Sequence, residues 1–157
     1  MKPSVYIETT VVSYLTARGS RDLIVAAHQE LTQEWWQRRR SEFELYCSQL
    51  VIQEAGGGHK EAAQRRLQTL QSLSVLEIND AAKELARHLA KAASIPRKAA
   101  EDALHIALAT VHGMDYLLTW NCKHIANAEM QRSVTLMCHL RGYEPPVICT
   151  PEELMGD

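Results

Sequence analysis

Glu8 comes directly after the apolar run Val5-Tyr6-Ile7. Glu54 follows Leu50-Val51-Ile52, and Asp102 is embedded in AEDALHIALATVH, a segment that is apolar nearly all round. A carboxylate among apolar residues is costly unless donors or a cation meet it. Three of them together suit a hard divalent ion. Mg²⁺ and Mn²⁺ take oxygen ligands, often one or two carboxylates alongside water and phosphate oxygens. Such ions activate water and neutralise charge that builds on a phosphoryl group. Taken singly, each acid has an ordinary explanation: Glu8 as a solvated or capping residue, Glu54 as the exposed side of a helix, and Asp102 as an early-turn acid favoured by the helix dipole. Their value as a set depends on whether the chain brings them to one place.

The elements that would do so are readable from periodicity and caps. Residues 4–8 read as a strand and 9–17 as a short helix, with Thr9 or Thr10 available as its cap. Asp22 to about Arg40 reads as a long helix with Leu23, Ile24, Ala27, Leu31 and Trp35 inward. Residues 44–47 read as a strand, after which Ser48 caps a helix that Gly56-Gly57-Gly58 stops. A helix over 59–72 points Arg65 and Arg66 outward as a solvated surface, and a strand covers 74–78. Asn79 caps a helix to about Ala93. Pro96 suits the first turn of the next, which ends at Gly113. A strand over 115–119, a helix over 127–141 and a last strand over 146–149 complete the pattern. Strands that alternate with helices predict a parallel sheet covered by helices. With no Pro/Gly/Ser-rich linker, residues 1–157 read as one domain. In such sheets, sites form beyond the carboxyl ends of the strands. Glu8, Glu54 and Asn121 all fall there.

Bulk properties narrow the classes. The 157-residue chain carries a formal net charge of −2, so overall charge does not mark a nucleic-acid binder, and a polyanion would need a local basic patch or a metal. It has no apolar run long enough to cross a membrane and no signal-peptide pattern at its start. The expectation is a cytoplasmic protein with no membrane partner. Its four cysteines include no C-x-x-C pair and read as reduced thiols, and Cys122 with His124 supplies only half of a zinc site. Gly56-Gly57-Gly58-His59 lacks the spacing of a phosphate-binding Walker loop. Arg97 and Lys98, one turn before Asp102, are placed to meet a phosphate backbone. Trp120 is a base-stacking candidate whose alternative is core packing. His105, one turn beyond Asp102, reads as a packed neutral histidine or as support for the acids.

Four stretches, VYIETTVVSYL, LVIQEA, EDALHIALA and DYLLTWNCKHIANA, resemble the PIN-domain nucleases, and within them the VapC-like toxins of toxin–antitoxin pairs. They occur in family order over positions 5–128. The resemblance implies an α/β fold, a three-layer α/β/α sandwich around a central parallel sheet of about five strands. It also implies a metal-dependent endoribonuclease using Mg²⁺ or Mn²⁺, with an RNA substrate, a small antitoxin as partner, and self-association as a homodimer. The family's acidic positions map to Glu8, Glu54 and Asp102, and a fourth, usually acidic, maps to Asn121. Glu8 replaces the more usual Asp with one more methylene of reach. Asn121 offers a carbonyl oxygen without charge, which weakens the case for a second metal; Asp115, at the other end of its strand, is badly placed to substitute. On this reading Glu8 and Asp102 hold the metal, Glu54 binds it or acts through water, and the hydroxyls of Thr9 and Thr119 orient a ligand or the scissile phosphate or else only cap. Substrate contacts fall to Arg97, Lys98 and Trp120. The rival reading is a catalytically weak or inactive PIN-like module that binds RNA or protein; the neutral Asn121 favours it and the three retained acids oppose it.

Overall fold

The structure, a computed structural model, describes residues 1–157. Five short strands form one all-parallel sheet: β1 (Ser4–Ile7), β2 (Glu44–Ser48), β3 (Ser74–Leu76), β4 (Tyr116–Leu118) and β5 (Val147–Cys149), in the order β3-β2-β1-β4-β5. Seven helices connect them: α1 (Thr9–Thr16), α2 (Leu23–Arg38), α3 (Gln49–Ala55), α4 (Lys60–Leu70), α5 (Asp80–Ala92), α6 (Ala100–Val111) and α7 (Ala128–Leu140).

The strand order determines the layering. From β1 the chain steps outward to β2 and β3, then crosses back to β4 beside β1 and steps the other way to β5. Parallel crossovers are right-handed, so the two directions of travel place their helices on opposite faces. The packing agrees: α1 contacts α2, α3 and α4, whereas α5 contacts α6 and α7. The result is the α/β/α sandwich. The direction reverses between β1 and β4, which makes the crevice beyond their carboxyl ends the switch point where sites form in such sheets. β1 is central, and Val5, Tyr6 and Ile7 are fully buried.

The caps follow the residues that can make them. Asp22, Ser48, Asn79 and Asn127 each accept backbone N–H groups at the starts of α2, α3, α5 and α7. Gly58 (φ +74°) adopts the left-handed conformation that a Cβ disfavours, three residues past the end of α3.

Three expectations are corrected. Neither Thr9 nor Thr10 caps α1; Glu8 holds that position without a side-chain cap bond, and the threonine hydroxyls are engaged elsewhere. Leu23, Ile24 and Ala27 are exposed rather than inward, and the buried residues of α2 are Gln29, Thr32 and Trp35. Polar groups are tolerated inside when their partners are present. Gln29 bonds the Arg18 carbonyl and the Ser20 N–H, and Thr32 accepts from the Trp120 indole at 2.7 Å. Arg65 and Arg66 are half-buried rather than solvated: Arg65 bonds the Thr16 carbonyl, and Arg66 bonds the carbonyls of Ala55 and Gly57 at the end of α3.

Candidate active site

β1 and β4 run side by side to the switch point, and the Glu8 N–H continues their ladder by donating to the Leu118 carbonyl at 3.1 Å. This seats Glu8 at the carboxyl end of the central strand, where it is 3% exposed. Thr10 and Thr119 both donate their hydroxyls to its Oε1, Thr119 at 2.6 Å. No Lys or Arg pairs with it, and its hydrogen bonds all fall on Oε1. The charge is therefore held by hydroxyls, with Oε2 left for another partner.

Glu54 arrives on the last turn of α3. Its Oε1 accepts from Thr9 Oγ1 at 2.6 Å and meets His105 Nε2 at 2.6 Å. Burial alone raises this carboxyl; the hydrogen bonds from His105 and Thr9 outweigh it and hold the group well below the usual carboxylate range. The clustering of acids is felt at Glu101, whose carboxyl is raised first by its hydrogen bond to the Glu54 carboxylate, then by desolvation and by the Glu54 charge. The ligand-capable atoms of Glu8, Glu54 and His105 all lie within 4.8 Å of one another.

Asp102 stands in the first turn of α6, where its Oδ2 pairs with His124 Nδ1 at 3.1 Å. His124 belongs to the turn that Asn121 organises. The Asn121 side-chain oxygen accepts from the His124 N–H at 3.0 Å, and the Asn121 N–H donates to Thr119 Oγ1 at 2.9 Å. Thr119 thus links the two halves, donating to Glu8 and accepting from Asn121. Of the four residues expected at the site, Glu8 and Glu54 are in immediate proximity; Asp102 is paired with His124, and the Asn121 side chain is spent on its own turn.

The expected substrate contacts are placed as follows. The hydroxyls of Thr9 and Thr119 serve carboxylates. Arg97 and Lys98 are exposed in a short 3-10 turn directly before α6. Trp120 is 8% exposed, with its ring stacked on His28 at 4.0 Å between centroids, so this indole packs instead of lying open to a base. Asp115 binds Ser4 at the opposite, amino edge of the sheet. Sequence reasoning did not place Thr10, His124 or Glu101 in the site. Their signals were present in E-T-T, in N-C-K-H and in the second acid of E-D-A-L-H.

The donor set fits a hard divalent cation. Two carboxylates meet in a half-buried crevice with no Lys or Arg paired to either, each fixed through one oxygen by hydroxyl or imidazole donors.

A family model described as the PIN domain matches residues 5–125. No curated protein matches the chain at a significant level. Among solved structures, FitAB bound to an IR36 DNA fragment superposes with a TM-score of 0.60 at 14% identity, covering 94% of each chain. VapBC2 from Rickettsia felis bound to a DNA fragment from their promoter also gives a TM-score of 0.60, at 15% identity, covering 94% of this chain and 98% of that one. At such identities the likeness is one of fold. With the family model spanning most of its length, from β1 through the turn that follows β4, the chain belongs to the PIN-domain family.

Proposed function

We propose that this chain is a Mg²⁺- or Mn²⁺-dependent endoribonuclease, a cytoplasmic toxin held in check by a small antitoxin. The observation that carries the reading is the meeting of Glu8 and Glu54 with His105 at the β1/β4 switch point, with no Lys or Arg paired to either carboxylate. Glu8, Glu54 and Asp102 would hold the ion, with Asn121 contributing at most a neutral oxygen. When bound, the metal supplies an activated water and neutralises charge on the phosphoryl oxygens.

The chain's own residues prepare that chemistry. Thr10 and Thr119 fix Glu8, Thr9 and His105 fix Glu54, and His124 orients Asp102. A pre-aimed donor set needs little rearrangement as negative charge builds. Arg97 and Lys98, exposed just before Asp102, suit the RNA backbone as positioning contacts. Support for an antitoxin comes from the VapC-like motifs in the sequence and from the fold shared with VapBC2, itself bound to promoter DNA.

The neutral Asn121 favours one second reading, a catalytically weak or inactive module that binds RNA or protein. An RNA cleavage assay separates the two. The nuclease reading expects cleavage with Mn²⁺ or Mg²⁺, none in EDTA, and loss on Glu8→Gln. RNA binding without cleavage at any metal concentration supports the second.

A further inference from the structure

Behind Glu54 a line of polar groups runs through the core. Ser48, Tyr6 and His105 are each 0% exposed. Ser48 Oγ lies 2.8 Å from Tyr6 Oη, Tyr6 Oη lies 2.7 Å from His105 Nδ1, and His105 Nε2 lies 2.6 Å from Glu54 Oε1. The line joins β2, β1, α6 and α3, and it begins and ends on α3, because Ser48 is the cap of the helix that carries Glu54. Buried polar groups must be paired, so the proton positions can be worked out by counting donors.

The count starts at the fixed end. The Val51 N–H points at Ser48 Oγ at 3.1 Å, so that oxygen already accepts one bond. Tyr6 Oη is the other partner of Ser48 Oγ. The Ser48 proton therefore goes to Tyr6, the Tyr6 proton goes to His105 Nδ1, and the His105 proton sits on Nε2 and goes to Glu54. Every proton then has an acceptor. If Nδ1 were protonated instead, Tyr6 would have to donate to Ser48, and the Ser48 hydroxyl proton would be stranded in the core. Burial also pushes the Tyr6 phenol well above its ordinary value, which keeps its proton available to donate.

We infer that Ser48, Tyr6 and His105 form a one-way hydrogen-bond wire that holds His105 as the neutral Nε2–H tautomer and thereby aims Glu54 into the site. Tyr6 and His105 are positioning residues on this account. Their effect on catalysis rests on the ribonuclease reading; the tautomer does not.

The test is ¹⁵N–¹H correlation spectroscopy of the histidine rings in the full, metal-free chain near neutral pH, for wild type, Tyr6→Phe and Ser48→Ala. Wild-type His105 should carry its proton on Nε2, with Nδ1 a hydrogen-bonded acceptor. Tyr6→Phe should move the Nδ1 resonance downfield as it loses its donor. Ser48→Ala should lower stability through the lost cap and leave the tautomer in place. A wild-type His105 protonated on Nδ1, alone or together with Nε2, overturns the wire, as does an Nδ1 resonance indifferent to Tyr6→Phe. Should Tyr6→Phe not fold, the wild-type tautomer decides. In the RNA assay Tyr6→Phe should lower kcat severalfold at unchanged KM; a change in KM alone removes the positioning role. A wild type that cuts no RNA would sink the ribonuclease reading and leave the spectroscopic result standing.

Discussion

Replacing Glu54 by Gln removes a charge whose environment is specified atom by atom. The carboxyl is held down from 4.5 to about 2: burial raises it, and the bonds from His105 and Thr9 more than reverse that. The full shift would correspond to on the order of 3 kcal/mol at neutral pH, but part of it is attraction to a charged His105, which the neutral tautomer inferred above does not supply. The glutamine keeps one acceptor oxygen for His105 and Thr9, so the net loss should be smaller, about 1–2 kcal/mol. In a chain of this size that lowers Tm by about 2–4 °C per kcal/mol. The sign with pH follows from the direction of the shift. A depressed folded-state value means that the contribution is complete above 4.5 and is lost as pH falls through about 2. Urea unfolding of both proteins in EDTA, from pH 7 down to pH 3, should therefore show a gap that is constant from pH 7 to about 5 and narrows from there to pH 3. A gap independent of pH, or a variant more stable than wild type at pH 7, would refute the idea that His105 and Thr9 stabilise the ionised carboxyl.

Asp102→Asn should abolish most of the Tm rise that Mn²⁺ gives the wild type, a rise worth about 2.7 kcal/mol at a hundredfold excess over Kd; thermal unfolding with and without Mn²⁺ measures it, and equal gains would remove Asp102 from the ligand set. Asn121→Asp keeps the acceptor that holds the His124 N–H and adds a charge, so RNA cleavage should need less Mn²⁺ in a metal titration; an unchanged requirement places that side chain outside the metal's reach. Thr119→Val conserves shape but strips Glu8 of a donor and the Asn121 N–H of its acceptor. It should cost about 1–3 kcal/mol in urea unfolding, and a loss below about 0.5 kcal/mol would mean that water replaces the hydroxyl.

The sheet and its helices were legible because each was marked locally. Short apolar runs such as Val5-Tyr6-Ile7 and Tyr116-Leu117-Leu118 read as buried parallel strands, and Ser48 and Asn79 cap the helices they were expected to cap. Glu8 and Glu54 were legible because strand order puts chemistry at carboxyl ends. What escaped was side-chain direction between distant segments. Thr10 and Thr119 meet on Glu8 from positions more than a hundred residues apart, and the His124–Asp102 pair depends on how a turn after β4 folds against α6. The same blindness misassigned α2. Its apolar residues Leu23 and Ile24 suggested the inner face, but Gln29 and Thr32 went inside because a loop carbonyl, a loop N–H and the Trp120 indole were there to pair with them. Periodicity counts apolar residues; it does not see partners.

The proposed function stands or falls on whether Glu8 and Glu54 form a cation site together with Asp102. Mn²⁺ binding to the purified full chain, followed by electron paramagnetic resonance of the free ion, tests it without relying on any substrate. At least one Mn²⁺ should bind per chain in the wild type and be displaced by Mg²⁺, and Glu8→Gln should lose that binding with the fold intact. Binding of equal stoichiometry and affinity in the wild type and Glu8→Gln, or no binding by the wild type at millimolar Mn²⁺, would contradict it.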